Sequence, residues 1–154
     1  IEHDIADGGA SRFESSRNGL ALVPDDEEGV VGFHDGVRPF VSAETIDRCF
    51  EAAREDYAAL PVMPVTDTLR FTGGSSAGRN VPRSDYRIVQ TPQVFDIALA
   101  KQAFRQPYHD AFTDDASVVE SLGCQVRMVE GNRENIKLTT PFDLQLADFI
   151  IKQQ

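Results

Sequence analysis

Cysteine is nearly absent from this chain: Cys49 and Cys124 are the only two among 154 residues. Two thiols cannot staple a small domain, and their separation matches no metal-ligand spacing, so a reducing compartment is the simpler assumption. Long apolar runs are missing as well. No stretch approaches the roughly 20 consecutive apolar residues of a membrane helix. The stretch from Ile1 to Asp7 has no basic segment followed by an apolar one of the kind that directs export. The sequence therefore reads as cytoplasmic, without a membrane partner. Positive charge is in deficit. Fifteen Lys and Arg face 25 Asp and Glu, a net charge of -10 with a pI near 4.6, the wrong sign for binding nucleic acid. The histidines, His3, His34 and His109, show no zinc-ligand spacing. No serine sits in a G-x-S-x-G elbow, and the glycines of residues 73–79 lack the spacing of a phosphate-wrapping P-loop.

What is present fits one domain with one core: 41% of the residues are hydrophobic and 26% charged, and a chain of this length can bury about 70% of its unfolded surface. An acidic run, Asp25 to Glu28, precedes an apolar strand at Gly29 to Phe33. A polar turn, His34 to Pro39, then leads to Ser42, which caps a helix with Ile46, Cys49, Phe50, Ala53 and Tyr57 on its apolar face. Ala58 to Val65 reads as a strand whose Pro61 and Pro64 predict interrupted pairing or an edge position. Residues 71–85 are rich in Gly and Ser and predict a projecting hairpin that leaves the core. Helices follow over about Pro92 to Phe104 and over Asp114 to Leu122, the second capped by Thr113 and ended by Gly123. Cys124, Val126 and Met128 alternate with polar residues as in a strand, Ile136 to Thr139 predicts a short one, and Thr140-Pro141 with Asp143 opens a last helix through Ile151. Phe50, Phe95 and Phe149 are expected in the core. Alternating strands and helices predict an α/β fold with a mainly parallel sheet.

In such sheets ligands collect beyond the carboxyl ends of the strands, where Asp35, Arg38, Thr68 and Lys137 fall. Asp35, directly after an apolar strand and before the rigid Val37-Arg38-Pro39 turn, is placed to meet a hard cation such as Mg²⁺; capping its own turn is the alternative. Arg38, Arg83 and Lys137 are cations at polar turns of an acidic chain, as a phosphate ligand requires, although surface ion pairs explain any one of them equally well.

Ordered motifs sharpen this picture. They are Gly8-Gly9 with Arg12, Ser15 and Asn18-Gly19-Leu20; His34-Asp35-Gly36-Val37-Arg38-Pro39-Phe40; Pro64 to Thr68; Val89-Gln90-Thr91-Pro92-Gln93; Phe112 to Ser117; and Val129-Glu130-Gly131-Asn132 leading to Asn135 to Thr139. In this order the chain resembles the 2-C-methyl-D-erythritol 4-phosphate cytidylyltransferases of non-mevalonate isoprenoid synthesis. The resemblance implies transfer of CMP from CTP to methylerythritol phosphate with release of pyrophosphate and use of Mg²⁺. It also implies a Rossmann-like nucleotide-diphospho-sugar transferase fold and a homodimer interlocked by a β-arm within residues 68–88. Carried onto matching positions, Gly8, Gly9 and Ser15 lie near the cytosine, and Asp35 and Gly36 near the ribose and metal. Thr91, Thr113 and Lys137 hold the acceptor together with Arg38, Thr68 and Arg83, this last group arriving across the dimer interface; Lys137 and Arg83 orient the attacking phosphate. The ribitol-5-phosphate cytidylyltransferases share the His-Asp-x-Val-Arg-Pro motif, but Thr113 to Ser117 and Glu130 to Asn135 favour methylerythritol phosphate. A non-catalytic binding fragment of the same fold is the rival of another class. The family opens with a strand and a glycine-rich phosphate loop bearing an Arg and a Lys that stabilise the transition state. None of these occurs from Ile1 onward, so residues 1–154 read as one N-terminally incomplete domain, and the activity of these residues alone is left open.

Overall fold

In the computed structural model, which describes residues 2–153 apart from the side chain of Ser76, each α-helix starts at a side-chain cap. The helices are α1 (Arg12–Leu20), α2 (Ala43–Asp56), α3 (Ile97–Phe104), α4 (Asp115–Glu120) and α5 (Pro141–Ile151). Their caps are Ser11, Ser42, Asp96, Asp114 and Thr140, whose oxygens accept from backbone N–H groups that the first turn leaves unpaired. Ile1 and Gln154, the ends of the domain read from sequence, lie outside the described residues. The cap of α4 is Asp114 and not Thr113, because Asp114 and Ser117 close a reciprocal capping box. Thr113 is left exposed.

The strands are β1 (Val30–Phe33), β2 (Ala58–Pro64), β3 (Leu69–Arg70), β4 (Asn80–Val81), β5 (Arg87–Val89), β6 (Gln93–Asp96) and β7 (Arg127–Glu130). β2 is central. On one side it runs parallel to β7, with Ala59 opposite Arg127 and Val62 opposite Glu130. On the other it meets β6 at Ala58 and Ala59 and β5 at Val62 to Pro64, both antiparallel, and β1 pairs antiparallel beyond β6. β1, β2 and β7 therefore share one direction and form the parallel core of an α/β sheet, with β6 and β5 opposed. Of the two expectations for β2, interrupted pairing holds and the edge position is corrected: Pro61 falls at the handover from β6 to β5, where its carbonyl accepts from Gln90 N–H at 2.9 Å and no ladder donor is demanded of it.

Other corrections concern the segment after each turn. Residues 93–96, expected within the start of a helix, form β6, since fully buried Val94 and Phe95 serve the apolar clusters on opposite faces of the sheet. Ile136 to Thr139 is not a strand; a hydrogen bond of 2.9 Å from Leu138 N–H to the Val37 carbonyl ties it down. β7 begins at Arg127, and Met128 is 64% exposed. Tyr57 leaves the helix in a left-handed conformation and is exposed. Phe95 belongs to one core cluster and Phe50 packs against the other, whereas Phe149 is 60% exposed. The apolar residues of α5 point all round its axis, so burying Ala147 leaves Phe142, Leu144, Phe149 and Ile151 exposed.

Phe13, Leu20, Leu60, Phe95, Phe104 and Val119 form the larger core between the sheet and α1, α3 and α4; Cys49, Ala52, Ala53, Ala59 and Val94 form the smaller one under α2. The predicted hairpin is present as a separate two-stranded sheet, Leu69 opposite Val81 and Arg70 opposite Asn80. Its tip closes with Phe71 and Gly78, the glycine at a φ of 83° that few other residues adopt.

Candidate active site

The carboxyl ends of β1 and β7 open onto the same edge of the sheet, and antiparallel β6 enters from that edge. Side chains after β1 and β7 thus meet those just before β6. A cleft of about 360 Å³ results, lined by Arg12, Asp35, Arg38, Thr91, Gln93, Thr113 and Lys137 among others. A larger hollow of about 760 Å³ lies between Tyr57 and Cys124 to Arg127. Its one cation, Arg127, is already paired with Glu55 and Asp56, so we place the chemistry in the smaller cleft.

Asp35 is the centre of that cleft. Arg38 Nε lies 3.2 Å and Lys137 Nζ 3.3 Å from its Oδ2, and Arg12 Nη2 lies 3.7 Å from its Oδ1. Burial works to raise the Asp35 pKa, but the bonds from Arg38 and Lys137 and the nearby Arg12 hold it below the usual carboxylate range. Arg38 is itself fixed, donating through Nη1 to the Asn135 carbonyl at 2.9 Å. Lys137 is 47% exposed at the cleft mouth.

Backbone and neutral side chains hold Asp35 in place. Asp35 N–H donates to Thr91 Oγ1 at 3.1 Å, Thr91 Oγ1 lies 3.0 Å from His34 Nδ1, and His34 Nε2 lies 3.0 Å from the Arg38 carbonyl. A carbonyl can only accept, so Nε2 carries a proton, and in the neutral imidazole Nδ1 then accepts from the Thr91 hydroxyl. The Thr91 hydroxyl is therefore engaged within the protein. Behind it, Asn135 Nδ2 donates to the Thr91 carbonyl at 2.8 Å, and Gln90 Nε2 donates to the Asn132 and Asn135 carbonyls. These bonds bind the loop bearing Lys137 to the start of β6.

The structure thus brings Asp35, Arg38, Thr91, Thr113 and Lys137 together within one chain, so the expectation that Arg38 arrives across a dimer interface is corrected: its bonds to Asp35 and Asn135 fix it in its own chain's cleft. Gly8 and Gly9 precede α1 and Ser15 lies on it; Gly9 N–H donates to Ser15 Oγ at 3.0 Å and Asn18 Nδ2 donates to the Asp7 carbonyl at 3.0 Å. A Cβ on Gly9 would stand 3.0 Å from the Glu14 carbonyl carbon, so only glycine passes there. Gly36 is exposed in the turn after β1. Thr68 and Arg83 are exposed on the arm and do not line the cleft; Arg83 donates to the Thr66 carbonyl. Sequence reasoning missed His34, Gln93 and Asp115 as parts of the site and gave Arg12 no role. All four sit inside the ordered motifs, but Arg12 and Asp115 are 103 residues apart and nothing local joins them.

Among the described residues no three His, Cys, Asp or Glu side chains form a metal cage. Asp35 alone would suit Mg²⁺ held mainly by substrate phosphates and water.

Residues 2–153 match the model of the family described as IspD, 2-C-methyl-D-erythritol 4-phosphate cytidylyltransferase. The enzyme of that name from Phocaeicola vulgatus is 58% identical over 151 residues, covering 98% of this chain and 68% of the relative. Its Bacteroides fragilis counterpart is 56% identical over the same shares. Among solved structures, the Thermus thermophilus enzyme superposes with a TM-score of 0.82 at 41% identity, over 94% of this chain and 71% of that one. Both the cleft and these matches lead to one conclusion: the chain belongs to the 2-C-methyl-D-erythritol 4-phosphate cytidylyltransferases, nucleotidyltransferases that act in isoprenoid synthesis.

Proposed function

We propose that the cleft around Asp35 is where the phosphate of methylerythritol phosphate meets the α-phosphate of CTP. The observation that carries this is the convergence of Arg12, Arg38 and Lys137 on one carboxylate. Cations gathered around a single acid in an otherwise acidic chain suit a ligand that brings several negative charges.

A phosphate monoester with a second pKa near 6 is largely dianionic at neutral pH and needs no base to become a nucleophile. One of its oxygens forms the new bond to the α-phosphorus as the bond to the β-phosphate oxygen breaks, and pyrophosphate leaves with that electron pair. The protein's work is then positioning and charge stabilisation. Lys137 and Arg38 orient the acceptor phosphate, with Thr113 at the cleft edge. Thr91 contributes by holding Asp35. Gly8, Gly9 and Ser15 read the cytosine, and Asp35 and Gly36 face the ribose. When bound, Mg²⁺ would neutralise triphosphate charge, with Asp35 as its protein ligand.

A second copy of the chain completes the site through its arm, supplying Thr68 and Arg83. Exposed Phe71, Tyr86, Ile88 and Val89 along the arm and β5 support such an interface. Asp35→Asn tests the reading: activity should fall and its Mg²⁺ titration should flatten, since an amide is a poor ligand for a hard cation. Full rate with an unchanged titration would return Asp35 to a capping role.

A further inference from the structure

Asp115 is 1% exposed, and no step described above uses it. Its Oδ2 accepts from Arg12 Nη2 at 2.5 Å and its Oδ1 from Ser16 Oγ at 2.8 Å. Arg12 and Ser16 are four residues apart and leave the same face of α1, so one carboxylate grips that helix at two points. The other end of the grip is fixed to the sheet. Ala116 N–H donates to Gln93 Oε1 and Gln93 Nε2 to Asp114 Oδ2, each at 2.8 Å, and Gln93 on β6 is fully buried.

Apolar contacts already dock α1. Phe13 is 3% exposed, with ring centroids 5.1 Å from Phe104 and 5.6 Å from Phe112. Such contacts are non-directional and leave the helix free to turn or slide by small amounts. Burying a carboxylate is a costly way to add more packing, and burial does push the Asp115 pKa up against the pull of Arg12 and Ser16. What the pair adds is direction. Along the same helix, Ser15 Oγ holds Gly9 N–H and donates to the Ser11 carbonyl at 3.0 Å, so the Gly8-Gly9 segment goes where α1 goes.

We propose that Arg12 and Asp115 form a positioning couple that sets α1 on the cleft and thereby fixes the affinity for the cytidine base of CTP. The proposal rests on the reading that Gly8, Gly9 and Ser15 meet that base. The same Arg12 Nη2 lies 2.5 Å from Asp115 and 3.7 Å from Asp35, so the couple also sets where this guanidinium stands in the cleft.

Calorimetric titration of CTP into the wild type, Ser15→Ala, Arg12→Gln, Asp115→Asn and the Arg12→Gln/Asp115→Asn double variant tests it. Ser15→Ala and both couple variants should each bind CTP roughly tenfold more weakly, the scale of losing one hydrogen bond to a charged group. The double variant should be no worse than the weaker single one, because the two residues act as a unit. In steady-state kinetics of the intact enzyme, Asp115→Asn should raise KM for CTP while KM for methylerythritol phosphate stays within about twofold, a split that general loosening would not give. If Asp115→Asn does not fold, Ser16→Ala, which removes one of the two grips, carries the test and should weaken CTP roughly threefold. CTP affinity within twofold of wild type in Arg12→Gln and Asp115→Asn, or additive losses in the double variant, overturns the couple. Should Ser15→Ala also bind CTP normally, the base reading itself falls; if it alone weakens CTP, that reading stands and only the couple is lost.

Discussion

Replacing Lys137 by alanine separates a catalytic role from a structural one, because the geometry assigns the two very different magnitudes. In the free protein the ammonium pairs, among the described residues, only with Asp35, at 3.3 Å, and the side chain is 47% exposed. An ion pair that open contributes about 0–1 kcal/mol. Asp35 keeps Arg38 at 3.2 Å after the change, so no carboxylate is stranded. The stability cost of Lys137→Ala should therefore stay below about 1 kcal/mol, a shift of a few degrees in Tm for a domain this size. In the transition state the same ammonium is asked to hold the acceptor phosphate against the α-phosphorus. Losing one preorganised donor of that kind costs about 2.7–4 kcal/mol, so kcat/KM should fall by roughly 10² to 10³. Steady-state assay of pyrophosphate release, run beside thermal unfolding of the same preparations, reads both quantities. A near-normal rate would refute the assignment, and so would a rate loss matched by a Tm drop of more than about ten degrees, since the lysine would then be holding the fold.

The remaining expectations concern Asp35, Thr91 and the arm. Because the Asp35 pKa is held down in the folded chain, the unfolded chain takes up the proton first on acidification. Its stabilisation is full above the ordinary carboxylate range and is lost as pH falls through the folded-state value. Urea midpoints of Asp35→Asn should consequently fall less steeply with acid than those of the wild type, and parallel curves would contradict the ion-pair cluster. Thr91→Val keeps the shape but leaves the Asp35 N–H unpaired beside a residue only 4% exposed. It should cost about 1–3 kcal/mol by chemical denaturation, and a neutral result would deny the His34–Thr91–Asp35 chain. If the arm completes a neighbouring site, sedimentation should give a dimer. Mixing inactive Arg83→Ala with inactive Lys137→Ala subunits should then restore part of the activity by forming one intact site per mixed dimer; no recovery after subunit exchange would place both residues in one chain's site or in none.

Several elements were legible in the sequence because a local rule governs them. Ser42 and Thr140 start helices through their own side chains, and the Gly- and Ser-rich stretch could only make a hairpin. Asp35 and Arg38 were legible as cleft residues because they follow the end of β1, a local feature, whereas Lys137 reaches the cleft from a loop where a strand was expected. What was missed is set by contacts distant in sequence. β6 looked helical because Phe95, Ala98 and Leu99 share helical spacing, yet Val94 and Phe95 are claimed by different core clusters and the chain must alternate there. The Thr91 hydroxyl looked free for a ligand, whereas His34, 57 residues away, engages it. The pairing of Arg12 with Asp115 and the pinning of α4 by Gln93 have no local signature at all.

The most direct measurement is of product. The intact enzyme, incubated with CTP, Mg²⁺ and methylerythritol phosphate, should release pyrophosphate and form 4-diphosphocytidyl-2-C-methyl-D-erythritol in equal amounts, with ribitol 5-phosphate a poor substitute. Turnover of ribitol 5-phosphate in preference to methylerythritol phosphate, or no pyrophosphate with either acceptor, would contradict the placement of this chain's cleft in methylerythritol phosphate cytidylyl transfer.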